Sequence, residues 1–265
     1  MVVDVCVWCR LQLPRRIAQG GVSRPAPKHM DLSLARRVEQ ELLDGLAAED
    51  PRARRSRSDL QRIHRAMATL SIVERALDRG TSGFVPRTLL ELGAGDGSLM
   101  LRLAQKRAAR WPNVHVTLLD RLNLVAPPTL DGIRETGWTP TVVAMDVFDW
   151  LAQRDDTRWD VVLANLFVHH FAPGELQRLL AGIAARTCVF LCCEPRRSAL
   201  ALAGSHMVGL LGAGPVTRQD AVSSVHAGFR ARELSNLWPT KRDWVVSEFS
   251  AGLFSHCFLA VRMER

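Results

Sequence analysis

The amino-acid sequence predicts an α/β protein built on a doubly wound, mostly parallel sheet, and three observations carry that prediction. An apolar run, Thr88-Leu89-Leu90, leads through Glu91-Leu92 into Gly93-Ala94-Gly95-Asp96-Gly97 and then into a helix, 98–104, whose Leu99 and Leu103 share one face. Further strand-like runs then alternate with helical stretches, as crossover units require. Acids stand at or beside the ends of three successive strands: Glu91, Asp120 and Asp146.

The glycine turn is a nucleotide cradle in the making. Glycine lets the backbone bend sharply and approach a ligand, and the helix N-terminus behind it offers unpaired N–H groups. The dinucleotide fingerprint G-x-G-x-x-G is not met, because the third glycine comes one position early, at Gly97, and Ser98 stands where glycine is needed. Glu91, two places before the first glycine, suits a cationic ligand and repels a pyrophosphate.

The pattern Glu91-x-Gly93-x-Gly95-x-Gly97 resembles motif I of the class I S-adenosylmethionine-dependent methyltransferases, and by motif order the resemblance covers roughly residues 60–265. It implies a Rossmann-like, seven-stranded sheet of order 3-2-1-4-5-7-6 with the seventh strand antiparallel. It also implies S-adenosylmethionine as cofactor. In that family the loop, here Glu91, Gly93, Ala94, Gly95, Asp96 and Gly97, wraps the methionine part, with the first acid near its amino group. A second strand, 114–119, ends in Asp120, 23 residues beyond Gly97 and followed by Arg121. A carboxylate there can accept both ribose hydroxyls of an adenosyl ligand. A third strand, 141–145, ends in Asp146, whose family counterpart accepts from the adenine amino group, with Val147 and Phe148 flanking the ring. Either aspartate alone could be a helix cap. Three acids at three strand ends point to one ligand.

A fourth strand, 160–164, runs into Asn165-Leu166-Phe167-Val168-His169-His170-Phe171, which resembles the family's motif IV, near the sulfonium and facing substrate. Asn165 lacks the following Pro-Pro-aromatic of amino-group methylation, and Cys192-Cys193 precede Glu194-Pro195 instead of forming the Pro-Cys of cytosine methylation. Both absences weigh against nucleic-acid bases as substrate. His169 and His170 are the candidate catalytic pair, since imidazole takes a proton from a phenol near neutral pH; the bland alternative is that they orient the loop through backbone hydrogen bonds.

A fifth strand, 188–193, is followed by a closing hairpin, 244–249 and 253–260, turning at Gly252. The 48 residues between Glu194 and Asp243 far exceed the ~10–12 a crossover needs. This insertion, about 195–242, is expected to build the substrate pocket, with Thr217-x-x-Asp220 capping a helix that carries Val222, Val225 and Phe229; otherwise it is a decorative hairpin. Residues 194–238 and 252–256 also resemble bacterial methyltransferases associated with type III polyketide synthases. That resemblance implies a phenolic or polyketide-like acceptor, methylated at oxygen or carbon.

Ahead of the methyltransferase domain, 81–265, a helical cap is expected over 30–80. One helix spans 33–48, from Leu34, Val38, Leu42 and Leu46, and stops at Asp50-Pro51; a second runs from the capping box Ser58-x-x-Gln61 to Gly80. His64 reads as a packed or surface residue beside the second stripe. Residues 1–29 show no helical period and read as a disordered tail or a mis-assigned start.

Composition narrows the class. The chain has 265 residues, 47% hydrophobic, enough for one substantial core. No apolar run reaches the ~18 residues of a membrane span, so a soluble protein without membrane contact is expected, and the cysteines in its apolar runs point to a reducing cytoplasm. Of the net charge of +8, residues 1–65 carry +5, and the arginines of 51–57 read as a solvated loop rather than a binding face. Tyrosine is absent and aromatics are 6%, leaving little surface for stacking RNA bases. Cys6-x-x-Cys9 is half a zinc site without its second pair, while Cys188, Cys192, Cys193 and Cys257 sit in apolar runs as reduced thiols. No metal is expected. The oligomeric state is open, a homodimer included. The rival functions are an RNA methyltransferase using the basic front end and a non-catalytic, cofactor-binding partner protein.

Overall fold

The computed structural model describes residues 35–153, 157–239 and 241–263, so the expectations for 1–29, Cys6 and Cys9 included, lie outside the described residues. Seven strands form one sheet: β1 (Thr88–Leu92), β2 (His115–Asp120), β3 (Thr139–Ala144), β4 (Trp159–Asn165), β5 (Thr187–Pro195), β6 (Trp244–Ala251) and β7 (Ser255–Arg262). Their order is β3-β2-β1-β4-β5-β7-β6. β1 to β5 are parallel, whereas β7 runs antiparallel to both β5 and β6. This is the order the resemblance implies.

Alternation along β1 shows how the sheet divides its core. Leu89 joins one apolar cluster with α2 (Thr69–Gly80), α3 (Ser98–Arg107) and α4 (Pro127–Glu135), while Leu90 and Leu92 join the opposite cluster with α6 (Pro173–Arg186). Neighbouring side chains on a strand point to opposite faces, so a strand buried on both sides reads as continuously apolar. In-register pairing of Leu92 with Leu119 and Ala164, and of Asp120 with Ala144, brings the carboxyl ends of β1 to β4 to one level. The loops that follow those ends make the site.

The N-terminal part departs from expectation. Residues 35–42 form no helix, and only Leu43–Gly45 makes a 3₁₀ turn. Their backbone groups are bonded elsewhere: the Leu42 and Leu43 N–H groups donate to the Asp220 carboxylate (2.7 and 3.0 Å), and Arg37 N–H donates to the carbonyl of His226. Tertiary bonding thus overrides the helical period of Val38, Leu42 and Leu46, while Leu34 lies outside the described residues. Asp50-Pro51 starts a helix instead of ending one. Asp50 caps α1 (Pro51–Ala66) by accepting from Arg52 N–H at 2.8 Å, with Pro51 in the first turn where its missing N–H costs nothing. The arginines of 51–57 are therefore helical, and Ser58 lies inside the helix rather than at its cap. The single helix expected to Gly80 breaks at Ala68, which adopts a left-handed conformation (φ 52°) before α2.

In the insertion, α7 (Ala199–Met207) is followed by α8 (Pro215–Ala227) and α9 (Glu233–Leu237). Thr217 and Asp220 do not cap α8, which begins two residues before Thr217; both are buried along its length. One oxygen of Asp59 on α1, Oδ2, accepts from both Thr217 Oγ1 (3.0 Å) and the Gly214 N–H (2.7 Å). The insertion is therefore bolted to α1 and to the 35–45 strap. No helix among the described residues is long and apolar enough to cross a membrane.

Candidate active site

A cavity of about 620 Å³ opens at the carboxyl ends of β1 to β4. Of the sequence-predicted cofactor residues, Glu91, Gly93, Ala94, Gly95, Asp96, Asp120, Arg121, Asp146, Val147 and Asn165 all line it, from four different strand ends. Gly97 does not. A Cβ added there would meet Thr129, Val125 and Leu118 at 3.2–3.3 Å, so the absence of a side chain at Gly97 lets α3 pack against β2 and α4. Gly95 is the opposite case: its φ of 55° disfavours any side chain, and nothing lies within 4 Å of an added Cβ. Open space over a bare backbone is what a closely approaching ligand needs.

The three acids are held differently. Asp120 ties the turn to β2, its Oδ2 accepting from Gly95 N–H (2.8 Å) and its Oδ1 from Leu122 N–H (2.9 Å). Asp146 is also the N-cap of α5 (Val147–Ala152), accepting from Phe148 N–H at 2.7 Å, so the helix-cap and cavity-lining readings hold together. Glu91 is buried, and its Oε2 has no hydrogen-bond partner. Burial, with Asp96 and Asp120 nearby, pushes its carboxyl well above the usual range. A buried, unpartnered carboxyl beside an open turn is a site prepared for a donor such as an ammonium group.

Four cavity residues, Arg57, Leu60, Gln61 and His64, come from α1, where the sequence pointed only to packing. Gln61 donates to Asp96, and His64 lines the wall with its Nε2 buried and unpartnered; burial pushes its imidazole down to about 4. The other wall is aromatic. Phe148, Phe167 and Phe171 meet edge to face at 5.5 and 5.1 Å, and all three line the cavity. Leu166, between Asn165 and Phe167, adopts φ 52°, a left-handed turn costing about 1 kcal/mol that directs this chain into the cavity wall.

The histidine pair splits. His170 lines the cavity, whereas His169 is 2% exposed and sits behind it. Glu194, at the end of β5 and fully buried, accepts from His169 Nδ1 at 2.7 Å and from the backbone N–H groups of Phe167, Val168 and His169. One carboxylate thus satisfies the start of the 168–170 turn and orients its imidazole. On the far side of His169, Nε2 lies 3.4 Å from Glu41 Oε1 of the strap. Burial alone would lower the His169 pKa, but hydrogen bonds to Glu194 and Glu41 raise it to about 9. For Glu41, burial works upward and is outweighed by the two imidazoles, which hold it well below the usual carboxylate range. Neither Glu41 nor Glu194 was legible as a site residue, because Glu41 lies 128 residues from His169 and Glu194 reads as a mere strand end.

The insertion, expected to wall the substrate pocket, supplies no lining residue among those described; the strap residues Val38, Glu39, Gln40, Leu43 and Asp44 stand in that place. The insertion acts through the strap: Asp220 holds Leu42 and Leu43, Ser224 donates to Glu41, and the Arg36 guanidinium donates to the carbonyls of Ala227, His169 and Phe171.

No protein-family model and no curated protein sequence matches the chain. Solved structures do. The plantazolicin methyltransferase BpumL in complex with SAH aligns with a TM-score of 0.58 and 13% identity, over 81% of this chain and 91% of that one. An O-methyltransferase family protein from Burkholderia thailandensis aligns with a TM-score of 0.51 and 18% identity, over 82% of this chain and 61% of that one. With strand order, glycine turn and structural neighbours in agreement, the chain has the fold of the class I S-adenosylmethionine-dependent methyltransferases.

Proposed function

We propose that this protein transfers a methyl group from S-adenosylmethionine to a small-molecule acceptor, a phenolic or polyketide-like hydroxyl or carbon. The observation that carries the reading is the convergence of Glu91, Gly95, Asp120 and Asp146 on one cavity. The residues fit the cofactor in kind: an unpartnered carboxyl for its amino group, bare backbone at Gly95, a carboxylate for the ribose diol, and Asp146 with Val147 and Phe148 for the adenine. The cofactor supplies a methyl group already activated on sulfonium, so the protein's task is to align the partners and exclude water. Phe167 and Phe171 provide the apolar wall for that, and His170 is the histidine that touches the acceptor, with His169 as its buried support.

Charge speaks against RNA as acceptor. Besides the Glu91 carboxyl, six carboxylates, Glu39, Asp44, Asp96, Asp120, Asp146 and Glu175, line the cavity against two arginines, Arg57 and Arg121. Such a mouth repels phosphates.

The test has two arms. Calorimetric titration should show S-adenosylmethionine binding and no NAD binding. Labelled methyl groups should then pass to members of a phenol and polyketide panel and not to RNA. Binding of NAD in preference to the sulfonium cofactor would sink the reading outright. Cofactor binding without transfer to any acceptor would leave the non-catalytic partner protein as the better account.

A further inference from the structure

We infer that Glu41, His169 and His170 form a binding site for a divalent transition-metal ion of the zinc type, at the seam between the strap and the 168–170 turn. One carboxylate oxygen and one ring nitrogen from each histidine lie within 4.8 Å of one another, and both Nε2 atoms stand 3.4 Å from Glu41. Two imidazoles and a carboxylate are the donor set of an open, three-ligand zinc site. Nothing in the sequence spacing announces it, since the carboxylate arrives from a segment 128 residues away.

In both rings Nδ1 is engaged from behind, which leaves Nε2 as the nitrogen facing the ion; His169, held protonated by its two carboxylates, releases its Nε2 proton as the ion binds. His169 Nδ1 donates to Glu194 at 2.7 Å, and His170 Nδ1 donates to the Phe167 carbonyl at 3.1 Å. A carbonyl only accepts, so His170 Nδ1 is the donor there and Nε2 is the nitrogen turned towards Glu41. One carboxylate and one backbone carbonyl behind two metal-facing nitrogens is the usual outer-shell arrangement of ligating histidines.

The Glu41 contacts are long for charge-assisted hydrogen bonds and match the spacing of ligands around one ion. Glu41 Oε1 stands 3.4 Å from His169 Nε2, and Glu41 Oε2 stands 3.4 Å from His170 Nε2. A charge-assisted N–H···O bond closes to about 2.7–2.9 Å, as the His169–Glu194 contact does. Ligands each 2.0–2.1 Å from a tetrahedral zinc stand about 3.4 Å apart. His170 Nε2, moreover, is buried and makes no hydrogen bond. Ser224, which donates to Glu41, fixes the carboxylate from the insertion side. The remaining coordination position takes water or an oxygen of a bound molecule. With the ion in place His170 is a ligand, and the ion rather than the imidazole acts on an oxygen that reaches it. Metal binding does not depend on the methyl-transfer reading and is tested without any methyl donor or acceptor.

The experiment uses the full chain carrying Cys6→Ser and Cys9→Ser, so that thiols outside the site do not compete. Calorimetric titration with Zn²⁺, and metal content after dialysis, should give one ion per chain. X-ray absorption of the zinc-loaded protein should show two imidazole nitrogens and carboxylate oxygen at about 2.0–2.1 Å and no sulfur. Glu41→Gln and His170→Gln should each weaken binding at least ~10-fold, and Glu194→Gln, acting through His169, by about 10- to 100-fold. His115→Gln and His206→Gln, at exposed positions, should leave it unchanged. The inference is overturned if no one-to-one binding is seen, if sulfur enters the coordination shell, or if folded Glu41→Gln and His170→Gln bind as wild type does. Should either variant fail to fold, the absorption spectrum of the parent protein decides alone.

Discussion

Asp120 offers the sharpest test of the cofactor site, because it has two duties that can be separated. Its oxygens already hold the Gly95 and Leu122 N–H groups at 2.8 and 2.9 Å, and each retains a lone pair for a ribose hydroxyl. In Asp120→Ala the freed N–H groups lie at a cavity wall that water reaches, so the stability loss stays near 1–2 kcal/mol. In a domain of this size that is a drop of about 3–6 °C in Tm. Affinity for S-adenosylmethionine loses a charge-assisted acceptor as well, about 1.5–3 kcal/mol, or roughly 10- to 100-fold in Kd. Asp120→Asn keeps one accepting oxygen and should fall between the two. Titration calorimetry and scanning calorimetry on the same samples give both quantities. A variant whose Tm falls while its cofactor Kd stays within about twofold of wild type would show that Asp120 only ties the turn to the sheet and never meets the ribose.

Four further outcomes are expected. Glu91 holds its proton above the pH at which the unfolded chain releases it, so the stability of the cofactor-free protein should decline as pH rises from about 4.3 towards the raised folded value; Glu91→Gln, with no proton to lose, should flatten that slope in a series of melting curves. Gly95→Ala should cost about 1 kcal/mol of stability by denaturant titration, from strain at φ 55°, and should weaken cofactor binding as well, whereas unchanged binding would place the ligand elsewhere. His170→Gln should keep cofactor affinity within about twofold and lower single-turnover rates by about 10²-fold through misplacement of the acceptor; an unchanged rate would remove His170 from the site. Leu166→Gly should relieve the left-handed strain and raise Tm only if the strain exceeds the value of the lost side chain, so a fall in Tm would show that Leu166 packing outweighs its conformation.

What could be read from the sequence was whatever depends on neighbours in the chain. The run from Thr88 to Ser98 contains its own strand, turn and helix start, and Asp120 and Asp146 each follow an apolar strand directly, so all of them were found together with the strand order their resemblance implies. The misses share a cause. Residues 35–48 carry a helical period, but Leu42 and Leu43 give their N–H groups to Asp220, a partner 178 and 177 residues away, and no local pattern announces such a bond. Asp50-Pro51 satisfies both a stop and a start rule, and the choice fell to the capping bond made by Asp50. Glu41 and Glu194 gain their meaning only from the histidine set between them.

The strap also fixes the order in which the molecule can be completed. Arg36 bonds to Ala227 across 191 residues, and Leu42 to Asp220 across 178, so a segment near the start of the chain must wait for α8 before it has anything to hold. Contacts of such long range form late, after the loop-closing entropy has been met by the sheet. A ribosome-bound chain with β1 to β4 complete would therefore carry the whole glycine turn and all three acids while lacking one wall of its cavity. The reverse holds in the finished protein. The strap rests on a handful of hydrogen bonds and no apolar core of its own, so it is the part expected to open first, with the amides of Arg37, Leu42 and Leu43 exchanging by local detachment long before those of β1.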